Sequence, residues 1–263
     1  MADQNATGAG ASLGVGGIIS ESFSILFGNL LKVIFIAFIP MFLTLAFAGP
    51  DQTSTNFDLG VSGNIGITGA VSAAVLVVLL VIAFYSLITA VLVQLAYDVK
   101  LDRSGSIATY FARALSAIIP ITILAIASGI LMVIGFAFLV VPGLWIYAVF
   151  YVFAAVAVIE RAGFGSLGRS AELTKEYRWP IVGLVLVVGI IASIIQNIAE
   201  YMMPVLTSAF GGETLGWIIA IIVSSAIGAI GYGLGGISVA LTYARLREIK
   251  EGVSVDEIAS VFD

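Results

Sequence analysis

The sequence predicts an all-α integral membrane protein whose helices cross the bilayer six times. Of its 263 residues, 60% are hydrophobic and only 10% are charged, and the mean hydropathy is +1.15. A soluble domain rarely carries so much apolar surface. The charge-free segments are also long enough to span a bilayer, because about 20 apolar residues cross roughly 30 Å of hydrocarbon.

Six segments of this kind occur along the chain, at about 30–48, 70–97, 117–140, 144–160, 180–203 and 215–244. The third and fourth come from one region, Ala114 to Ile159, which contains no charged residue. As a single helix this region would be roughly 69 Å long, or about two membrane thicknesses. Pro142-Gly143 predicts a tight turn that divides it. Aromatic residues that suit a membrane–water interface follow this turn: Trp145, Tyr147 and Tyr151.

The placement of Lys and Arg predicts the orientation of the helices. Basic residues occur between spans two and three, between spans four and five, and after span six. The segments 49–69, 141–143 and 204–214 contain none. Because short cytoplasmic segments carry an excess of Lys and Arg, this alternation predicts three hairpins with both termini in the cytoplasm.

Short amphipathic segments precede spans one, three and five. Their apolar residues at helical spacing begin at Ile19, Ile107 and Leu167. We interpret each segment as a cytoplasmic interfacial helix that leads into a hairpin, which makes three similar units. A helix that approaches a membrane obliquely gives the same pattern, so the internal repeat is one of two interpretations.

The predicted organisation has three parts. A flexible tail covers 1–17, the transmembrane domain covers 18–250, and a cytoplasmic tail covers 251–263. The first tail is poor in bulky apolar residues, which favours disorder. Ser254 and Glu257 form a capping box, which predicts a short helix in the last tail.

Six basic residues beside the interfacial helices are candidates for contact with anionic lipid headgroups: Lys100, Arg103, Arg113, Arg161, Arg169 and Arg178. Near a membrane surface, each such residue contributes about 1 kcal/mol of attraction to anionic lipids. The same residues also orient the helices, and that second role alone accounts for their placement.

Two further sets of candidate residues lie inside the predicted spans. Gly228, Gly231 and Gly235 form a small-residue face on span six, which suits close packing within the bundle or with a second copy of the chain. Three polar residues form an intramembrane patch in span five: Gln196, Asn197 and Glu200. This patch has two interpretations, interhelical hydrogen bonding or a substrate or ion site.

The composition also limits the chemistry. The chain has no Cys and no His, which removes thiol nucleophiles, the usual zinc ligands and histidine acid–base catalysis. Its net charge of −5 argues against nucleic-acid binding. Residues 163–168 match G-x-G-x-x-G, but a transmembrane segment precedes them where a dinucleotide site needs a strand. We therefore expect no cofactor, no metal and no catalytic residue.

Several short motifs resemble a family of six-span bacterial membrane proteins: Pro142-Gly143-Leu144, Glu160, the run 169–174, Trp179, Tyr243 and Arg247. This family is the membrane domain attached to some glycerophosphoryl diester phosphodiesterases, and it also occurs as freestanding proteins of uncertain function. The resemblance covers about residues 18–250. It implies an all-helical bundle with a link to lipids in the bacterial inner membrane. We expect no phosphodiesterase activity, because the chain has no His for that chemistry.

These observations favour a non-enzymatic inner-membrane protein that binds lipids, another membrane protein or a second copy of itself. One alternative is a transporter or channel for ions or small molecules that uses the patch at Gln196, Asn197 and Glu200. A lipid enzyme is the other alternative, and it lacks the dense acidic cluster that metal-assisted phosphate chemistry needs.

Overall fold

The computed structural model describes residues 12–48, 67–103, 105–211 and 214–252, and every regular element in these ranges is helical. A π-helix covers Val156–Glu160, and a 3-10 turn covers Gly163–Gly165. The α-helices are α1 Val15–Gly28, α2 Leu30–Ala48, α3 Ile67–Lys100, α4 Ile107–Ser116, α5 Ile118–Phe138, α6 Val140–Val149, α7 Phe153–Ala155, α8 Ser166–Leu173, α9 Arg178–Ala209 and α10 Leu215–Glu251.

Five helices in the described ranges are long and apolar enough to cross a membrane: Val75–Lys100, Ile118–Phe138, Val140–Glu160, Arg178–Ala209 and Leu215–Glu251. A sixth candidate is the pair α1 and α2, whose axes are bent by 91° at Asn29. The chain is therefore a multi-pass membrane protein with five or six long apolar helices, and the predicted all-helical class is confirmed.

The helix α10 lies at the centre of the molecule. It packs along α9 and also contacts α2 and α3. Gly233 faces Val33 of α2, and Gly236 faces Leu92 of α3, so closely that neither glycine could carry a side chain without displacing its neighbour. Small residues therefore let two helices, α2 and α3, approach the backbone of α10.

Three short helices precede longer ones, as the amphipathic segments predict. They are α1 before α2, α4 before α5, and α8 before α9. The prediction of a flexible tail at 1–17 is wrong for its last part, since α1 begins at Val15 and Leu13 is buried in the main core. Residues 1–11 lie outside the described residues, and so does the capping box at Ser254.

The break between α5 and α6 lies earlier than the sequence indicates. Leu139 has an extended backbone, with φ −169° and ψ 158°, and α6 already begins at Val140. The predicted turn at Pro142-Gly143 is therefore wrong. Pro142 occupies the first turn of α6, where its missing N–H costs no hydrogen bond. Gly143 instead permits close packing against Phe136 of α5.

Two of the aromatic residues that follow this break, Trp145 and Tyr151, pack against other helices. Tyr151 is only 8% exposed, and its hydroxyl lies 2.8 Å from the Ser238 Oγ in α10. The Trp145 ring packs 5.3 Å from the ring of Trp179, which is the second residue of α9. An arrangement of six straight spans would put these two tryptophans near opposite membrane faces, so this contact is not one that the sequence predicts.

A kink after α6 accounts for the way α8 is held. The N–H of Phe153 donates to Phe150, so the carbonyl of Val149 lacks its usual helical partner. The hydroxyls of Ser170 and Thr174 donate to this carbonyl at 3.0 and 3.1 Å. Because an unpaired buried carbonyl is costly, these bonds fix α8 beside the end of α6.

Candidate functional site

Three of the six basic candidates line one shared pocket and three do not. Lys100, Arg169 and Arg178 are held by contacts within the protein. Lys100 forms an ion pair with Glu21 of α1. The guanidinium of Arg178 lies 5.3 Å from the centre of the Trp145 ring, and its Nη2 donates to the Ala171 carbonyl at 3.5 Å.

Arg169 belongs to a network that joins three elements. Its Nε donates to the Glu160 carboxylate at 3.1 Å, and its Nη2 donates to Glu251. Glu160 also accepts the hydroxyl of Tyr243 at 2.9 Å, and Glu251 also accepts the Nε of Arg247 at 2.8 Å. The network ties the π-helix and α8 to the end of α10, so Arg169 has a structural role.

The other three arginines line one pocket with a volume of about 340 Å³. Arg103 lies in the turn after α3, Arg113 in the last turn of α4, and Arg161 directly after the π-helix. All three are exposed. Within the described part of the chain, neither Arg113 nor Arg161 forms an ion pair. The remaining residues of this arginine pocket are Gln94, Tyr97, Asp98, Val158 and Ile159.

Local contacts hold the walls of the arginine pocket. Tyr110 is 1% exposed, and its carbonyl accepts the Nε2 of Gln94 at 3.3 Å, which joins α4 to α3. The Tyr110 ring occupies the space beside Gly105, where any side chain would clash. Ser106 caps α4 by accepting a backbone N–H of the first turn at 3.2 Å. These contacts set the direction of α4 and so the position of Arg113.

The arginine pocket combines positive charge with a hydrogen-bond acceptor. Three guanidinium groups face one carboxylate, that of Asp98. Burial raises the pKa of Tyr110 to about 12, and the charge of Asp98 and a hydrogen bond with it add to this effect. Tyr110 is therefore neutral at pH 7. Gln94 is 5% exposed, and its Oε1 has no hydrogen-bond partner among the described residues.

Arginines beside hydrogen-bond acceptors suit a ligand that carries both an anionic group and a hydrogen-bond donor. Guanidinium groups bind phosphate oxygens through paired hydrogen bonds, and they remain charged at any physiological pH. An unpaired buried oxygen such as Gln94 Oε1 is costly unless a ligand or water donates to it. A phosphate with a neighbouring hydroxyl or ammonium group would satisfy both features.

The predicted polar patch on α9 is not gathered around one cavity. Gln196 lines a cavity of about 490 Å³, while Asn197 and Glu200 are exposed and do not line that cavity. The Nε2 of Gln196 donates to Glu200 at 3.4 Å, and the Nδ2 of Asn197 donates to the Ser193 carbonyl at 2.7 Å. The patch thus forms hydrogen bonds along its own helix.

The predicted glycine face of α10 has two environments. A methyl group added at Gly228 would lie 3.2 Å from the Gln196 Oε1, and one added at Gly231 would lie 3.4 Å from the Ala192 carbonyl, so both glycines pack within the protein. A methyl group added at Gly235 would meet no atom within 4 Å. All three glycines line one cavity of about 490 Å³, and Gly235 is the one of the three with open space beside it.

Comparison with protein-family models, with curated proteins and with solved structures finds no match to this chain.

Sequence reasoning missed the residues that complete the arginine pocket. Gln94 and Asp98 lie four residues apart near the end of span two, and two polar residues in an apolar helix were the available signal. The hydrogen bond between Gln94 and the Tyr110 carbonyl could not be predicted from the sequence, because it depends on how α4 folds back on α3.

Proposed function

We propose that this protein binds an anionic phospholipid headgroup in the arginine pocket, as a non-enzymatic component of a bacterial inner membrane. Arg103, Arg113 and Arg161 hold the phosphate, while Gln94 and Asp98 accept hydrogen bonds from a hydroxyl or ammonium group of the headgroup. Phosphatidylglycerol has both parts. A role in organising lipids or neighbouring membrane proteins follows from such binding.

One observation carries this proposal: three arginines from three separate segments line a single pocket that holds one carboxylate. Residues that serve only to orient helices need no common site, because their effect depends on which loop they occupy. Convergence on one pocket is what recognition of a phosphate needs.

The proposal includes an orientation. The arginine pocket and the network around Glu160 lie at the ends of helices where the basic residues are concentrated, so this side is cytoplasmic by the positive-inside rule. Both termini are then cytoplasmic. Six crossings in three hairpins give this orientation, and so does an arrangement in which one hairpin dips into the membrane without crossing it.

The family resemblance supports the proposal only in its link to lipids. Four of the residues that carry the resemblance, Glu160, Arg169, Tyr243 and Arg247, meet in one network. The alternative of a carrier that uses the polar patch has less support, since Asn197 and Glu200 do not line the cavity that Gln196 lines.

Lipid retention tests the proposal. The purified protein in mild detergent is mixed with phosphatidylglycerol or with phosphatidylcholine, and bound lipid is counted by native mass spectrometry. We expect Arg113→Gln and Arg161→Gln each to lower the affinity for phosphatidylglycerol about fivefold, which corresponds to ~1 kcal/mol for one arginine near the membrane surface. Phosphatidylcholine binding should change little.

Lys175→Gln is the matched control, because Lys175 is an exposed basic residue outside the arginine pocket. An equal loss of phosphatidylglycerol in this variant would mean that total charge, not the pocket, determines binding. Glycerol phosphate provides a second comparison. If it competes as strongly as the lipid does, the pocket serves a soluble phosphate and the lipid proposal is wrong.

A further inference from the structure

A second cavity is lined mainly by the membrane-spanning helices α9 and α10, and we call it the deep cavity. Its volume of about 490 Å³ falls within the range of small-molecule sites. Residues from both long helices line it, among them Gly189 and Ala192 of α9 and Gly235 and Val239 of α10. It shares no residue with the arginine pocket, so the two sites can be tested independently.

The surroundings of this deep cavity restrict what can enter it. Its α9 and α10 residues belong to two helices that are long and apolar enough to span a membrane. Gly189 and Ser193 are exposed, so the cavity opens along α9 toward the space that lipid occupies. An empty apolar cavity of this size would forfeit the packing contacts of every residue in its wall. Membrane lipid is the molecule with direct access.

The wall carries few polar groups, and one of them lacks a partner. Three tyrosines line the deep cavity. The Tyr151 hydroxyl bonds to Ser238, and the Tyr232 hydroxyl bonds to Thr89 and donates to the Tyr85 carbonyl. The Tyr147 hydroxyl has no hydrogen bond among the described residues, although its ring packs against that of Tyr151. A ligand with an acceptor beside an apolar chain would complete this wall.

We infer that the deep cavity holds an acyl chain of a membrane lipid, with the ester carbonyl of that lipid accepting a hydrogen bond from Tyr147. The glycines of α9 and α10 serve this site by leaving space for the chain. Gly189 and Gly235 are the two whose added methyl group would meet no protein atom within 4 Å although both line the cavity.

Those two glycines allow the cavity to be filled from opposite walls. An added Cβ meets open space at either position, and leucine improves helix propensity, so Gly189→Leu and Gly235→Leu should fold at least as stably as the parent protein. Gly183→Leu is the matched control. It lies on α9, it also has open space around it, and it is not among the residues that line the deep cavity.

The experiment uses a phosphatidylcholine that carries a photoreactive diazirine in its acyl chain. This headgroup has no net charge, so the arginine pocket does not determine the result. The full-length protein in vesicles of this lipid is irradiated, and labelled peptides are identified by mass spectrometry. We expect labels on Ala192 and Val239, with yields reduced about tenfold in Gly189→Leu and Gly235→Leu and unchanged in Gly183→Leu.

Other outcomes would overturn the inference. Labels of equal yield in the leucine variants, or labels confined to exposed residues such as Ile190 and Ile194, would mean that no chain occupies the cavity. If both leucine variants fail to fold, Tyr147→Phe decides instead. It keeps the shape of the site but removes the donor, so labelling should fall about fivefold, as the loss of one hydrogen bond predicts. An unchanged yield would exclude the role of Tyr147.

Discussion

Glu160 receives two hydrogen bonds at the end of the π-helix, one from Arg169 and one from Tyr243. Tyr243 is fully buried, so its hydroxyl cannot turn to water. Arg247 lies 5.8 Å from the centre of the Tyr243 ring and pairs with Glu251. One buried tyrosine thus connects the charged groups of two elements.

Removal of the Tyr243 hydroxyl tests this connection. We expect Tyr243→Phe to lower the free energy of unfolding by about 1.5 kcal/mol, because a hydrogen bond to a charged group is lost while the ring packing is kept. Unfolding in mixed micelles, followed by circular dichroism, measures the change. Tyr201→Phe is the control, since Tyr201 is 76% exposed. Equal effects of the two substitutions would contradict a special role for Tyr243.

At the scale of elements, the α5–α6 hairpin differs most from a pair of simple spans. Trp145 packs on Trp179 and Val149 bonds to α8, so the second half of α6 lies beside the start of α9. Leu139, at the tip of the hairpin, lies only about 9 Å along the helix axis from Trp145. The tip is therefore less than one membrane thickness from the start of α9. The hairpin tip is apolar and exposed, with Phe138 and Leu139 at 78% and 70% exposure.

The backbone of this tip is suited to hydrocarbon. The N–H of Leu139 donates to Gly135 at 3.2 Å, and its carbonyl accepts the N–H of Gly143 at 3.3 Å. Non-helical backbone rarely occurs within lipid because its polar groups lack partners, but here both groups at the turn are paired. We therefore expect the α5–α6 hairpin to dip into the membrane from the side where α9 begins, without crossing to the opposite side.

Single cysteines test this expectation, because the chain has none of its own. Leu139→Cys should react with a membrane-impermeant maleimide from neither side. Ser116→Cys, at the exposed end of α4, should react from the cytoplasmic side, and Phe210→Cys, after α9, should react from the opposite side. Reaction of Leu139→Cys from the same side as Phe210→Cys would mean that the hairpin crosses the membrane.

At the scale of the whole molecule, the basic ends of the helices are joined on one side. Lys100 at the end of α3 pairs with Glu21 of α1, and Lys250 at the end of α10 pairs with Glu176 after α8. The hydrogen bond and charge of Lys250 lower the pKa of Glu176, whose carboxylate is exposed. Exposed pairs contribute little to stability. Their value here is that they connect parts of the chain that lie far apart in sequence.

The same maleimide assay tests the orientation of the whole chain. We expect Ser12→Cys and Gly252→Cys to be labelled from the same side, the cytoplasmic one, because the helices between them must cross an even number of times. Both positions are exposed and precede or follow the helical domain. Labelling from opposite sides would require an odd number of crossings and would contradict the proposed topology.

The sequence by itself determined the class of protein, the approximate helices and the three short helices before longer ones. Hydrophobic length and amphipathic spacing act over a few turns of helix, so they are visible locally. The start of α6 was misplaced because proline is tolerated in a first turn and does not mark where that turn begins.

Only the tertiary structure decided which basic residues are available to a ligand. Arg169 and Glu251 are 82 positions apart, and no local pattern distinguishes the paired Arg169 from Arg113 or Arg161. Pairing depends on the distance between side chains after folding, since Coulomb attraction and hydrogen bonds act over a few ångströms. The same reason separates Gly235, where an added methyl group would meet open space, from Gly231, where it would touch α9, although both line the same cavity.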